Sequence, residues 1–320
     1  MVLLVTGCAG FIGSNIVERC LAEGYHVIGL DNFDTGHRKN IAPFLDHPLF
    51  YFYEGDIRNL SYLEELFQKE WITHVCHQAA RGSVPKSIEN PLLSNEVNVT
   101  GTLNLLWLSQ KYHIEKFVWA ISSSVYGDTP ELPKIESMPY NPISPYAVTK
   151  VANEMYYKIF YNLYGLRTIG LRYFNVYGRR QDPNGAYAAI IPRWIDKALD
   201  NENLELNGEG RQTRDFTYID DVVESNLLSL SCENKEAYGK WYNICYGERT
   251  AIAELGETII ALTWSTWRLS YTDARSWDIQ DSLGDYSEAN KAIGFRPKTN
   301  LHQWIANTLE WYTNNADYFQ

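Results

Sequence analysis

An open, doubly wound α/β fold built on a parallel sheet is what this 320-residue sequence predicts, and three observations carry the prediction. A continuous apolar run, Val2 to Val5, enters a glycine turn at Gly7, Gly10 and Gly13 and opens into a helix with Ile16, Val17 and Leu21 on one face. Apolar, strand-like runs then alternate with amphipathic segments down to about residue 175. The second run, His26 to Leu30, ends in Asp31, 18 residues beyond Gly13. Strand, glycine turn, helix and a distal acid together make a dinucleotide site of the Rossmann type. Gly7 allows the tight turn, Gly10 lets the backbone approach a pyrophosphate, and Gly13 lets the helix pack close. Phe11 and Ile12 stand at the helix start, whose free N–H groups face the phosphates. Asp31 can accept both adenosine ribose hydroxyls and would repel a 2′-phosphate, which favours NAD over NADP. The spacing is GxxGxxG rather than GxGxxG, and a solvated turn carboxylate before Asn32 is the plainer alternative for Asp31.

Twenty-eight Lys and Arg against 39 Asp and Glu leave a formal net charge of -11, which argues against nucleic acid or an anionic membrane as partner. The five cysteines are odd in number and form no CxxC, so reduced thiols in a cytoplasmic enzyme are expected and a metal site is not. The apolar N-terminus is short and lacks a basic leader, so neither signal peptide nor membrane span is expected. Aromatic residues make up 14%, including 23 Tyr and 10 Trp, which suits a sugar- or ring-binding cleft or a packed helical interface.

After Asp31, the polar stretch Asn32 to Asn40 is expected to close over the adenosine. Tyr51 to Glu54 reads as a third strand, followed by Asp56 and Ile57, which could meet the adenine amino group and ring; a helix-starting carboxylate is the rival for Asp56. Ser61 to Lys69 reads as a helix and Thr73 to His77 as a fourth strand. His74 and His77 are expected to be packed or satisfied locally. The small residues Ala79 and Ala80, after Gln78, leave room for the nicotinamide ribose and pyrophosphate. A helix over 92–111 carries two apolar edges and so is covered on two sides, once by the sheet and once by another subunit. Phe117 to Ile121 is the fifth strand, and its end presents Ser122, Ser123 and Ser124 to the crevice. Ser144-Pro145 is an N-cap with Pro at N1, starting a helix that runs to about Tyr164 before Gly165. Leu166 to Tyr173 is a sixth strand. Beyond it, helices are expected over 188–199, 219–230, 252–262, 287–293 and 301–312, with a strand at 241–244. Leu204 to Gly210 and Gln212 to Tyr218 read as two short strands around a turn, and 275–285 as polar loop.

Tyr146 and Lys150 lie one helical turn apart. A phenol is a poor base until its anion is stabilised; an ammonium one turn away, together with the positive nicotinamide of NAD, favours the phenolate. Lys150 would also hold the nicotinamide ribose, and a serine hydroxyl facing Tyr146 could share the proton of a secondary alcohol. That is a site for reversible alcohol-to-ketone oxidation. A nucleophilic serine is disfavoured, because no GxSxG elbow is present. Arg211, Arg214 and Arg275 suggest an anionic substrate, although each taken alone is as well explained by a surface ion pair.

Motifs over nearly the whole chain match in order: Thr6-Gly7-xx-Gly10-xx-Gly13, Asp31-Asn32, Asp56-Ile57-Arg58, His77-Gln78-Ala79-Ala80, Asn98-Val99-Thr100-Gly101-Thr102, Ser122-Ser123-Ser124-Val125-Tyr126-Gly127, Tyr146-xxx-Lys150, Arg172-Tyr173-Phe174-Asn175-Val176-Tyr177-Gly178 and Arg214-Asp215-Phe216. With these the sequence resembles the extended short-chain dehydrogenase/reductase family, and within it the NAD-dependent nucleotide-sugar 4-epimerases. The resemblance implies a seven-stranded parallel sheet and a smaller mixed α/β C-terminal domain for a UDP-sugar. It divides the chain into an NAD domain, 1–175 with return segments about 215–245, and a sugar domain, 176–214 and 246–320. It implies tightly held NAD, with Asn98 and Tyr173 joining the cofactor residues above, and Tyr146 as the base at the sugar 4-hydroxyl. It selects Ser122 as the catalytic hydroxyl, with Ser123 a near rival. Ser83, Ser122, Ser123, Asn175, Gln181, Ala189, Asn207, Arg214, Arg275, Asp278 and Ser282 are the implied substrate contacts, Asp278 at the uridine ribose. It also implies a homodimer through paired helices, with Met155, Ile159 and Leu163 as the second stripe.

Two departures narrow the reaction. Sugar 4,6-dehydratases of this family carry an Asp-Glu pair just after the catalytic hydroxyl, where this sequence has Ser123 and Ser124, which cannot do that acid/base work. Ser282 falls where galactose-type epimerases present a large Tyr and N-acetyl-accepting ones a small residue. Together with the Gln181 to Ala189 loop it points to UDP-N-acetylglucosamine and UDP-N-acetylgalactosamine. UDP-N-acetylglucosaminuronate, UDP-glucose and UDP-glucuronate are the competing substrates, and a cofactor-bound scaffold or sensor is the reading from another class.

Overall fold

The computed structural model describes residues 1–184, 188–263, 269–272, 279–298 and 300–319. Strands run in chain order as β1 (Val2–Thr6), β2 (His26–Asp31), β3 (Phe50–Glu54), β4 (His74–His77), β5 (Lys116–Ser122) and β6 (Arg167–Tyr173). They continue as β7 (Val176–Tyr177), β8 (Leu204–Asn207), β9 (Thr213–Arg214), β10 (Thr217–Tyr218), β11 (Lys240–Ile244), β12 (Thr250–Ala251) and β13 (Leu269–Thr272). A seven-stranded sheet has the order β11-β6-β5-β4-β1-β2-β3, with every pairing parallel. The winding reverses between β1 and β4, which places a crevice at the carboxyl ends of those two strands.

The apolar runs are strands because both faces of the sheet are covered. Leu3 and Val5 enter one core with Ile16, Val17 and Val27, while Leu4 enters the other with Ile28, Leu63, Val75 and Leu105. Helices Phe11–Ala22 and Ile219–Ser231 pack together over the first face; Leu60–Lys69, Thr102–Lys111 and Pro145–Tyr164 cover the second. The helix expected over 92–111 forms in three consecutive pieces, Pro91–Asn95, a π-helical turn at Glu96–Gly101, and Thr102–Lys111. Helix Pro145–Tyr164 starts where Ser144 caps the Ala147 N–H and ends at left-handed Gly165. The smaller C-terminal part packs helices Ile190–Leu199, Ile252–Thr263 and Leu301–Asn314 around the parallel pair β8 and β13.

The two stretches expected as short strands form strands at Leu204–Asn207, Thr213–Arg214 and Thr217–Tyr218, the second broken in two. The stretches around Gly208 and Gly210 do not pair with each other: β8 pairs in parallel with β13, β9 antiparallel with β12, and β10 in parallel with β7. The chain leaving Gly210 is satisfied elsewhere, because Ala253 N–H donates to the Gly210 carbonyl (3.0 Å) and Ile252 N–H to that of Gln212 (3.0 Å). A segment with a better partner 40 residues away does not close a hairpin. Among the described residues no helix is long and apolar enough to cross a membrane, and no group of three His, Cys, Asp or Glu could hold a metal ion. All five cysteines are free and buried.

Candidate active site

At the carboxyl ends of β1, β2 and β4 lies a cavity of about 330 Å³. Gly7, Gly10, Phe11, Ile12, Gly13, Asp31, Asn32, Asp56, Ile57, Gln78, Ala79 and Ala80 all line it. Gly7 holds φ +69°, and a Cβ there would stand 2.7 Å from the Ala79 nitrogen; one on Gly13 would stand 2.0 Å from the Gly7 carbonyl oxygen. These two glycines let turn, strand and helix touch. A Cβ on Gly10 would meet only the Gly7 carbonyl within 4 Å, so that glycine leaves room for a ligand. Gly10 gives the helix Phe11–Ala22 no side-chain cap, and its first N–H groups therefore remain available to an anion. Arg81 Nε, on a residue of the same wall, is buried without a partner. Phosphate-accepting donors, an acid at the ribose position and room for a diphosphate all fit a dinucleotide.

Asp31 accepts the Ala9 N–H (2.9 Å) and the Phe33 N–H (2.8 Å), and burial raises its carboxyl against those bonds. Each oxygen keeps a lone pair for a ribose hydroxyl. Asp56 is gripped by Arg58 and by the Asn32 amide (2.9 Å), and the Arg58 guanidinium holds its carboxyl down at about 2. Two expected cofactor residues stand behind the wall. Asn98, in the π-helical turn, clamps the Arg81 backbone, accepting its N–H at 2.8 Å and donating to its carbonyl at 3.2 Å. Tyr173 OH lies 3.4 Å from Gln78 Oε1 and accepts from Asn226 at 2.8 Å, so it props Gln78. His77 is satisfied by Thr6 (2.7 Å) and Thr102 (2.9 Å), and burial pushes its imidazole down to about 3.

The carboxyl end of β5 carries Ser122, whose oxygen accepts the Ser124 N–H at 3.1 Å and thereby opens a 3₁₀ turn at Ser123–Tyr126. Helix Pro145–Tyr164 brings Tyr146 to it, pinned where the Tyr146 N–H donates to Ser87 Oγ at 3.0 Å. Lys150 Nζ donates to the Ala120 carbonyl of β5 (2.9 Å) and sits 5.7 Å from the Tyr146 ring centroid. Burial raises Tyr146, the opposing influence is the Ser122 hydroxyl, and burial brings Lys150 itself down to about 8.

A second cavity, about 240 Å³, is lined by Asn175, Ala189 and Arg214 together with Arg193, Gln212 and Phe216. Asn175 holds a left-handed φ of 28°, fixed by donating its amide to the Asp215 carbonyl at 2.8 Å. The other expected contacts among the described residues do not line it. Ser83 caps helix Val84–Glu89, Gln181 Nε2 donates back to the Val176 carbonyl (3.0 Å), and Ser282 is buried with its N–H on the Thr213 carbonyl (3.1 Å). Arg211 forms a surface ion pair with Glu209 at 3.0 Å. The backbone of Asn207 pairs with Thr272, but its side chain lies outside the described residues, as do Arg275 and Asp278. Asp34 and Thr35 line the first cavity from within the stretch expected over the adenosine, while sequence reasoning missed Arg81, Arg193 and Gln212 as wall residues. The one available signal was Arg193, a cation just inside a strongly amphipathic helix.

Residues 3–245 match a family model described as the NAD dependent epimerase/dehydratase family. The chain is 39% identical over 314 residues to a putative UDP-glucose 4-epimerase of Methanocaldococcus jannaschii, covering 98% of this chain and 99% of that one. A UDP-N-acetylglucosamine 4-epimerase from Methanobrevibacter ruminantium, solved with UDP-N-acetylmuramic acid, superposes with TM-score 0.92 at 35% identity, covering 98% of each chain. A UDP-glucose 4-epimerase of Thermus thermophilus, solved with NAD, superposes with TM-score 0.89 at 35% identity over 98% of this chain and 99% of that one.

Proposed function

The chain belongs to the NAD dependent epimerase/dehydratase family, and from that premise we propose that it is an NAD-dependent 4-epimerase interconverting UDP-N-acetylglucosamine and UDP-N-acetylgalactosamine. The observation that carries the epimerase reading is a Ser122–Tyr146–Lys150 group beside a dinucleotide cavity, with Ser123 and Ser124 where a dehydratase needs acids. The small residue at Ser282 is the sequence feature behind an N-acetylated sugar, and the likeness to an epimerase of that name supports it. UDP-glucose is the second reading, favoured by the name of the Methanocaldococcus relative.

Residues 1–175 with 215–245 would hold the cofactor, and 176–214 with 246–320 the nucleotide sugar. NAD, when bound, accepts a hydride from C4 and returns it. Tyr146 takes the proton of the 4-hydroxyl, and Ser122 shares that hydrogen bond with the developing carbonyl. Arg214 anchors the diphosphate while the 4-keto sugar turns to offer its other face, and Tyr146 then returns the proton to the same oxygen. Protons and hydride balance over the cycle, so no net oxidation occurs. Incubation with each UDP-hexose and UDP-N-acetylhexosamine, with products resolved chromatographically, tests the substrate. Turnover of UDP-N-acetylglucosamine is expected to exceed that of UDP-glucose. Conversion of UDP-glucose or UDP-glucuronate with inert UDP-N-acetylhexosamines would overturn it.

We further propose a homodimer. Val148, Met155, Ile159 and Leu163 form an exposed stripe on helix Pro145–Tyr164, 53, 41, 47 and 68% exposed, with Leu92 and Trp107 exposed on the neighbouring helical run. A solvent-facing apolar stripe of this length suits a second copy. Sedimentation at micromolar concentration should give a dimer, and Ile159→Glu with Leu163→Glu a monomer. A monomeric parent chain would reject the pairing.

A further inference from the structure

Sheet order fixes what lies between two loops of this protein. Strands β4 and β2 flank β1, so a contact from the loop after β4 to the loop after β2 must cross the glycine turn at the end of β1. Such a contact exists: Arg81 Nη1 donates to Asp34 Oδ2 at 2.5 Å. Both residues line the cofactor cavity together with Gly10 and Gly13.

The two ends are anchored. The Asn98 amide grips the Arg81 backbone on both its N–H and its carbonyl. Asp34 follows Phe33, held at a left-handed φ of 58°, and donates its N–H to Asn32 Oδ1 at 3.0 Å. The Arg81 side chain is 16% exposed and that of Asp34 46%, so the bridge has an inner, cationic end and an outer, anionic one. The inner end is chemically incomplete, since Arg81 Nε–H is buried and has no acceptor. A guanidinium presents its donors in one plane, so it can hold a carboxylate with one edge while another N–H meets a phosphate or ribose oxygen.

We infer that Arg81 and Asp34 form a strap over the dinucleotide, Asp34 holding the guanidinium across the glycine turn while the guanidinium's remaining N–H groups donate to a cofactor oxygen beneath, and that this pair sets how slowly the cofactor leaves. The inference rests on the reading of that cavity as the NAD site. It separates two roles for the acid. If Asp34 holds the strap, losing it frees the cofactor; if Asp34 only competes with the cofactor for Arg81, losing it tightens binding.

NADH release from the loaded protein, followed by fluorescence on mixing with excess NAD, tests it on the parent, Arg81→Gln, Asp34→Asn and the double variant. Each single variant is expected to release NADH about tenfold faster. The double variant should be no faster than the faster single, because both remove one bridge. Parent release should also quicken with salt. Asp34→Asn releasing NADH at or below the parent rate would overturn the strap, as would Arg81→Gln at the parent rate. A parent that neither retains nor takes up NADH would overturn the cofactor reading, and the strap with it.

Discussion

Tyr146→Phe is expected to lower epimerisation by about 10² to 10⁴-fold while the protein stays folded and loaded with cofactor. The phenyl ring keeps the packing of Tyr146 beside Lys150 but cannot take or return a proton. The geometry makes the loss specific. Tyr146 faces the Ser122 hydroxyl, and the nearby imidazole of His77 cannot replace it, being consumed by Thr6 and Thr102 and held neutral. Turnover of each UDP-sugar by the purified variant, with bound NAD measured separately, checks it. Parent-rate turnover would remove Tyr146 as the base. The sign of the phenol's shift adds a spectroscopic check. Burial raises it, so in the cofactor-free protein Tyr146 ionises above the ordinary tyrosine value, and the parent-minus-variant phenolate absorbance should rise only on the alkaline side of that value.

Glu154→Met is expected to cost about 3–5 kcal/mol, a large share of the roughly 5–15 kcal/mol that holds a domain folded. Glu154 lies one turn beyond Lys150 on the same helix and is fully buried against Arg172 of β6, with Nε to Oε1 and Nη2 to Oε2 both at 2.7 Å. Tyr140 OH donates to Glu154 at 2.6 Å, and Arg172 Nη1 donates to Tyr126 OH at 2.7 Å, which in turn donates to Asn243 of β11 at 2.7 Å. The guanidinium also lies 4.7, 5.3 and 5.5 Å from the ring centroids of Tyr126, Trp241 and Tyr140. Removing the acid alone strands a cation among these groups. Removing both charges, as Glu154→Met with Arg172→Met, should cost less than the single change, because no unpaired ion remains. Urea melts of the parent and both variants read this out. A single variant with the parent midpoint would show that the pair does not hold the helix to the sheet.

Much of the architecture was legible because its signals are local. Val2 to Val5 could only be a strand buried on both faces, and Ser144-Pro145 and Gly165 bound the helix that carries Tyr146. The glycine turn was legible for the same reason, since Gly7 and Gly13 are required by contacts within a few residues and one neighbouring strand. The pairing of the segment from Gly208 to Tyr218 was not legible. Its partners, Thr250–Ala251 and Val176–Tyr177, are distant in sequence, and nothing in its own residues reveals them.

The sequence by itself determined the strand and helix succession and the glycine turn, because backbone propensity and periodicity act over one or two turns of chain. Tertiary structure alone decided the rest. It set Asn98 and Tyr173 behind the cavity wall, brought Arg81 to Asp34 and Arg193 to the wall that holds Arg214, and buried Tyr146 so that its phenol is raised. Desolvation and ion pairing depend on which loops converge in space, and that convergence is set by the sheet order.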